Sequence, residues 1–249
     1  MLAYDAPADS LDECLRLGES TIIESMRRFV RAIVEVFGDE YLRAPNEEDT
    51  ARLLDMNQRR GFPGMLGSID CMHWRWKNCS LNDIDVLHRS HLLDNLAAGV
   101  APKVHYSING HHYTMGYYLA DGIYPEWATF VKPIQAPVGR KRQHFVVQQA
   151  AARKDVERAF GVLQSRFSIV RGAARFWDQE TLNDIMTACI IMHNMIIEDE
   201  RPEGKVEYVY EGSGEDAVPF HEPTPHLKHL CKGTGELEVD RLIINSGTT

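Results

Sequence analysis

An aspartate stands in the middle of the most strand-like segment of this chain. Residues 65–76, MLGSIDCMHWRW, follow the turn Gly61-Phe62-Pro63-Gly64. Apolar and β-prone residues dominate them, which predicts a buried strand ending near Trp76. Asp70 falls inside that strand. A carboxylate there is costly unless backbone donors, a partner charge or a bound cation satisfies it. The fold must therefore build either a hydrogen-bonded niche or a cation site around one position of a central strand.

A second acid follows the same logic. Tyr113 to Leu119 predicts an aromatic-rich strand that runs into Ala120-Asp121-Gly122. Asp121 then sits at a strand exit beside a permissive glycine, where α/β proteins place chemistry. A third acid lies on a helix predicted over residues 143–167, with Ala152, Val156, Phe160, Leu163 and Phe167 as its apolar stripe. Glu157 borders that stripe, and Arg153 precedes it by four residues on the same side, so a surface Glu–Arg pair is the alternative reading.

Two Asp and one Glu in these places suit phosphodiester chemistry. Hydrolysis develops negative charge on the attacking and leaving oxygens, which two cations about 4 Å apart stabilise while lowering the pKa of the attacking water. Hard Mg²⁺ or Mn²⁺ prefers carboxylate oxygens. An Asp on a central strand, an Asp at the end of its neighbour and a Glu on a covering helix supply the minimal ligand set.

The rest of the chain reads mainly as helix. Residues 10–17 predict a short helix capped by Ser10, and residues 21–37 a longer one. The longer helix carries Ile22, Met26, Phe29, Ile33 and Phe37 as its stripe, Thr21 and Glu24 as a capping box and Gly38 as its stop. Helix, glycine turn and helix outline a helix-turn-helix, with Arg27, Arg28 and Arg31 on the second helix. A plain helical hairpin packed on the main domain fits the pattern equally. Glu47–Asn57 and Leu81–Leu96 predict two further helices. A last helix, capped by Asp178, runs to about residue 198 with Leu182, Ile185, Cys189, Met192 and Ile196 inward. Beyond Arg201, Pro, Gly and Glu without periodicity predict a mostly disordered tail.

Charge and composition narrow the class. The net charge of −9 argues against a surface that grips nucleic acid everywhere. Basic residues nevertheless cluster at Arg59–Arg60, Arg140–Lys141–Arg142, Arg153–Lys154 and Arg166, Arg171 and Arg175. Such a basic middle suits a local phosphate-binding surface, although solvated helices account for it too. No apolar run reaches the roughly 18–20 residues of a membrane helix. MLAYDAPADS lacks the basic and apolar regions of a signal peptide. Five scattered cysteines without CxxC spacing predict reduced thiols in cytosol or nucleus.

Other metal or nucleophile motifs are weak. HExxH, GxSxG and GxxxxGK[ST] do not occur. Cys189 and His193, four apart, read as core residues, because no second ligand pair accompanies them. His111 and His112 are adjacent on a strand and so point to opposite faces. Trp74 and Trp76 share a face, where core packing is the default.

Several long strings carry a family resemblance. They are GFPGMLGSIDCMHWRWKN (61–78), NDIDVL (82–87), GYYLADGIYP (116–125), RKDVERAFG (153–161) and MHNMI (192–196). The chain, over roughly residues 1–200, resembles plant PIF/Harbinger-type DDE transposases. The resemblance implies an α/β, ribonuclease-H-like catalytic domain over residues 61–200, preceded by an N-terminal helical segment (1–60) and followed by the tail (201–249). It implies that Asp70, Asp121 and Glu157 form the catalytic, metal-binding DDE set. Asp83 is a rival for the second position, but a helix-start Asp more often serves the helix dipole. It also implies Mg²⁺ or Mn²⁺, DNA as substrate, phosphodiester hydrolysis and strand transfer, a nuclear location and a separate Myb-like DNA-binding partner.

One departure from the family is large. After Lys77-Asn78-Cys79 the family continues through two strands of the central sheet, whereas here Ser80-Leu81-Asn82-Asp83 follows at once. The central sheet is therefore expected to be reduced, with an open edge beside the Asp70 strand. Two functions follow as expectations: a metal-dependent DNA endonuclease, or a non-catalytic co-opted adaptor that binds protein partners in the nucleus.

Overall fold

The computed structural model of the protein describes residues 1–43, 45–74, 103–200, 226–227 and 241–247. The helix expected over 81–96, Trp76, Asp83 and the Cys79–Leu81 junction lie outside these residues. Three helices open the chain: α1 (Ala8–Leu15), α2 (Glu19–Tyr41) and α3 (Glu47–Arg59). Strand β1 (Met65–His73) follows, then the hairpin β2 (Lys103–Ile108) and β3 (His111–Met115), then β4 (Tyr117–Leu119) and the short β5 (Phe130–Val131). The long helix α4 (Arg140–Arg166), a 3₁₀ turn at Ser168–Val170 and helix α5 (Gln179–Asp199) complete the central part. Two strands, β6 (His226–Leu227) and β7 (Arg241–Gly247), are what the structure describes of the segment after residue 200. No helix among the described residues is long and apolar enough to cross a membrane.

The result is a mixed α/β fold. One sheet runs in the order β5-β4-β1-β7-β6, and the hairpin β2–β3 forms a separate pair. Strands β1, β4 and β5 are mutually parallel. β7 runs antiparallel to β1 along its other edge, with Asp70 opposite Ile244. That pairing occupies the edge that the shortened sequence was expected to leave open.

The segment expected as one strand from Tyr113 to Leu119 divides at Gly116 into β3 and β4. A Cβ at Gly116 would lie 2.6 Å from Leu66 Cδ1. A side chain there would have to push the buried Leu66 aside, which favours glycine, and the chain changes partner there, from β2 to β1.

The main core joins four elements. Met26 and Val30 of α2, Met72 and Trp74 at the end of β1, Val156, Ala159, Phe160 and Leu163 of α4, and Leu182, Ile185, Met186 and Cys189 of α5 pack together. The inward stripe of α2 is Ile22, Met26 and Val30, while Phe29 is 48% exposed. The helix also starts two residues early, at an N-cap (Gly18) without a side-chain bond, and runs through Gly38 to Tyr41. Packing against α5 sets these bounds and overrides the local cap signals.

Helix α5 follows the sequence more closely. The Asp178 carboxylate accepts hydrogen bonds from the Thr181 hydroxyl and, at 3.0 Å, from the Thr181 amide. These bonds, the hydroxyl's first, hold the Asp178 carboxyl below its ordinary value. A depressed carboxylate stabilises the fold above its unfolded pKa, about 3.9, and loses that contribution as pH falls through the lower folded value. Asp178→Ala is expected to lower unfolding free energy by about 1 kcal/mol at neutral pH. In urea melts the gap between variant and parent should close as pH approaches about 2. A gap that persists there would assign the effect to something other than the charged cap.

Candidate functional site

Strand register brings the two aspartates to one level. Ser68 of β1 pairs with Leu119 of β4. Asp70 lies two residues beyond Ser68, and Asp121 two residues beyond Leu119. The strands are parallel and about 4.8 Å apart, so both acids lie beyond the last β1–β4 pair, Asp70 still within β1 and paired with β7, Asp121 just past the end of β4.

Side-chain alternation then fixes their face. The Ser68 hydroxyl reaches the Ala152 carbonyl of α4 at 3.5 Å, and Met72 packs against α4 in the main core. Asp70 falls between them at the same parity and therefore faces α4. Leu119 packs with Ala152, which puts Asp121, two residues on, over the same face. Ile69 and Ala120, at the opposite parity, join Tyr124 and Phe130 in a separate cluster on the far side.

Helix α4 carries the third acid and a cation across this end of the sheet. The Arg153 guanidinium lies 3.3 Å from Asp121 Oδ1 through Nη1 and 3.6 Å from Glu157 Oε1 through Nη2. Its side chain is only 13% exposed, whereas those of Asp121 and Glu157 are 43% and 53% exposed. Arg153 Nε has no hydrogen-bond partner among the described residues. The Glu–Arg pair anticipated on the helix surface is thus present, and it extends across to the strand acid.

Local backbone bonds set the two aspartates. Asp70 Oδ1 accepts from the Cys71 amide at 2.9 Å, and Asp121 Oδ1 from the Gly122 amide at 2.6 Å. The Tyr124 amide donates to the Asp121 carbonyl at 3.3 Å, closing the turn after β4.

Gln149 was not foreseen. Fully buried on α4, it donates through Nε2 to the carbonyls of Ala120 (3.2 Å) and Val131 (3.4 Å). One amide therefore ties the end of β4, next to Asp121, to β5 and to the helix bearing Glu157. The signal was present in the sequence: Gln149 occupies an inward position of the helix, between Phe145 and Ala152.

The donor set suits a hard divalent cation, because carboxylate oxygens are what Mg²⁺ and Mn²⁺ prefer. The spacing is looser than a closed ligand cage. Among the described residues no three His, Cys, Asp or Glu side chains converge to hold one ion. Asp121 and Glu157 are instead bridged by a guanidinium.

The other candidates stay apart from this site. Cys189 and His193 are buried in α5, and the Arg166 Nη1 atom lies 3.4 Å from His193 Nδ1. Trp74 is a core residue at 1% exposure. His111 and His112 are both exposed on the hairpin. Arg28 pairs with Glu24, and Arg31 with Glu180 and Asp184 of α5, so two arginines of the outlined helix-turn-helix are engaged within the protein.

The chain is thus a mixed α/β protein with Asp70 within β1, Asp121 just past β4 and Glu157 on the helix that packs on both strands. The chain is a member of the plant transposon protein family, whose profile matches residues 39–81 and 79–204. The two matched segments meet at the Cys79–Leu81 junction, where the sequence departs from the family. The proteins called putative nuclease HARBI1 from Bos taurus and Homo sapiens are 23% and 22% identical to it. Each alignment spans 273 residues and covers 91% of this chain and 72% of the relative. An alignment longer than the chain's 249 residues means that these relatives contain residues this chain lacks. No solved structure matches.

Proposed function

We propose that the chain is a transposase-derived, ribonuclease-H-like nuclease of Harbinger DDE type. It would hydrolyse DNA phosphodiesters with Mg²⁺ or Mn²⁺ and act in the nucleus. The supporting observation is the register that puts Asp70 of β1 and Asp121, just past β4, on adjacent parallel strands beneath α4, with Arg153 touching both Asp121 and Glu157.

Asp70 and Asp121 are the ligand residues in this reading, and Glu157 completes the set. When bound, a divalent ion stabilises charge on the reacting oxygens and lowers the pKa of the attacking water. Arg153 screens Asp121 from Glu157 before any ion arrives, and exposed Lys154 approaches a phosphate of the substrate. Gln149 holds the Asp121 turn against α4.

A guanidinium between two ligand carboxylates competes with a divalent ion. A unit charge and a double charge about 5 Å apart repel by about 2 kcal/mol even at the dielectric of water. Arg153→Gln is therefore expected to bind Mn²⁺ on the order of 10-fold more tightly in calorimetry. Equal or weaker binding would mean that the guanidinium organises the acids for the ion rather than opposing it.

A second reading, a non-catalytic adaptor for nuclear protein partners, is favoured by the loose spacing of the acids. The deciding experiment is Mn²⁺-dependent nicking of supercoiled plasmid by the parent and by Asp70→Asn. Nicking by the parent alone supports the nuclease. No nicking by either, with capture of a Myb-like DNA-binding protein, supports the adaptor.

A further inference from the structure

The basic run Arg140-Lys141-Arg142 has no role in the site described above, yet it begins the helix that carries Glu157. All three residues are exposed in the first turn of α4, and none forms an ion pair among the described residues. The helix macrodipole makes this a poor place for cations, since an N-terminus carries about half a positive charge. Nothing acidic lies nearby in sequence to compensate. From Trp127 through Lys154 there is no Asp or Glu, although the chain as a whole is at −9. Positive charge that the fold neither needs nor neutralises is suited to an external polyanion.

Geometry indicates where that polyanion runs. At 100° per residue, Arg142 and Arg153 differ by about 20° around the helix and so share a face. Along the axis Arg142 lies about 17 Å from Arg153 and about 22 Å from Glu157. At about 3.4 Å per nucleotide step, 22 Å is six to seven base pairs of duplex.

We infer that Arg140, Lys141 and Arg142 form a phosphate-gripping surface for duplex DNA, holding its backbone six to seven base pairs from the acid site along α4. This rests on the nuclease reading, and it assigns to α4 both the chemistry at one end and the substrate contact at the other. Arg142 is the contact on the Arg153 face, while Lys141 and Arg140 stand about 100° and about 160° around the helix from it and reach the same duplex only through their long side chains at the open helix end.

The test is fluorescence anisotropy of a labelled 30-base-pair duplex titrated with full-length protein across a KCl series. The parent is compared with the triple variant Arg140→Ala, Lys141→Ala and Arg142→Ala. Losing three phosphate contacts should flatten the slope of log K against log[salt] by about 2.7. Between 50 and 200 mM salt the variant should therefore lose about 40-fold less affinity than the parent. Its Mn²⁺ binding and circular dichroism should match the parent's, which separates lost DNA contact from lost fold. An unchanged slope, in a parent that nicks plasmid in an Asp70-dependent way, overturns the surface and leaves the nuclease standing. A parent that neither nicks nor binds the duplex overturns both.

Discussion

Asp70→Asn is expected to lower Mn²⁺-dependent plasmid nicking by at least about 100-fold while leaving the fold intact. The substitution keeps shape and removes charge. Asn can still accept the Cys71 amide bond that Asp70 Oδ1 accepts at 2.9 Å, so the strand loses little. A hard cation, by contrast, loses an anionic oxygen at the centre of the proposed site. Displacing reacting groups by about 1 Å already costs on the order of 100-fold, and deleting a ligand is the harsher change. Asp121→Asn serves as the companion variant, because Asp121 is at the same level of the sheet and also bonds to a following amide. Equal nicking by the parent and both variants, with equal Mn²⁺ isotherms, would remove the carboxylates from the chemistry.

Leu163→Ala is expected to destabilise the protein by about 2–5 kcal/mol. Leu163 is fully buried and lies in the core that joins α2, α4, α5 and the end of β1. Truncation at such a junction leaves a cavity that no single element can close by moving, so the cost falls toward the upper half of that range. Against a typical total stability of about 5–15 kcal/mol this is a large fraction. Urea unfolding should show a lower midpoint with an unchanged slope. A shift below about 0.5 kcal/mol would mean that the α4–α5 core is loosely packed and yields to the missing methyl groups. The outcome also bears on function, because α4 carries Gln149, Arg153 and Glu157 on the frame that Leu163 anchors.

The sequence announced some elements clearly and others not at all. Helix α5 was legible because its Asp178 cap and its stripe, Leu182, Ile185 and Cys189, both operate in the structure. The inward stripe of α4 was legible for the same reason, since Ala152, Val156, Phe160 and Leu163 are all buried. Of the hairpin, Tyr113–Met115 of β3 fell within the expected strand, whereas β2 was missed because its side chains are mostly exposed, which erases the apolar alternation that marks a half-buried strand. β5, at two residues, is too short to leave a pattern. Phe29 misled because its spacing fits a helical stripe; the buried row instead runs through Val30.

The candidate site shows the same division. Asp70 and Asp121 could be singled out because a carboxylate in or at the end of an apolar strand demands an explanation. That Asp121 faces Arg153 is a tertiary fact, set by how α4 crosses β4, and no local spacing encodes it. Gln149 was readable only as a polar residue at an inward helical position. Its two carbonyl partners, at Ala120 and Val131, become visible only when the strands are in place.

The pairing of β1 with β7 also governs when the molecule can be finished. The strand holding Asp70 is synthesised early, whereas Arg241–Gly247, which lies against it, leaves the ribosome last of all the described elements. Contacts that distant in sequence form slowly, and an unpaired edge is sticky in the meantime. A nascent polypeptide would thus carry β1 half-matched until Arg241–Gly247 has emerged, and the setting of Asp70 would be complete only once that strand has docked.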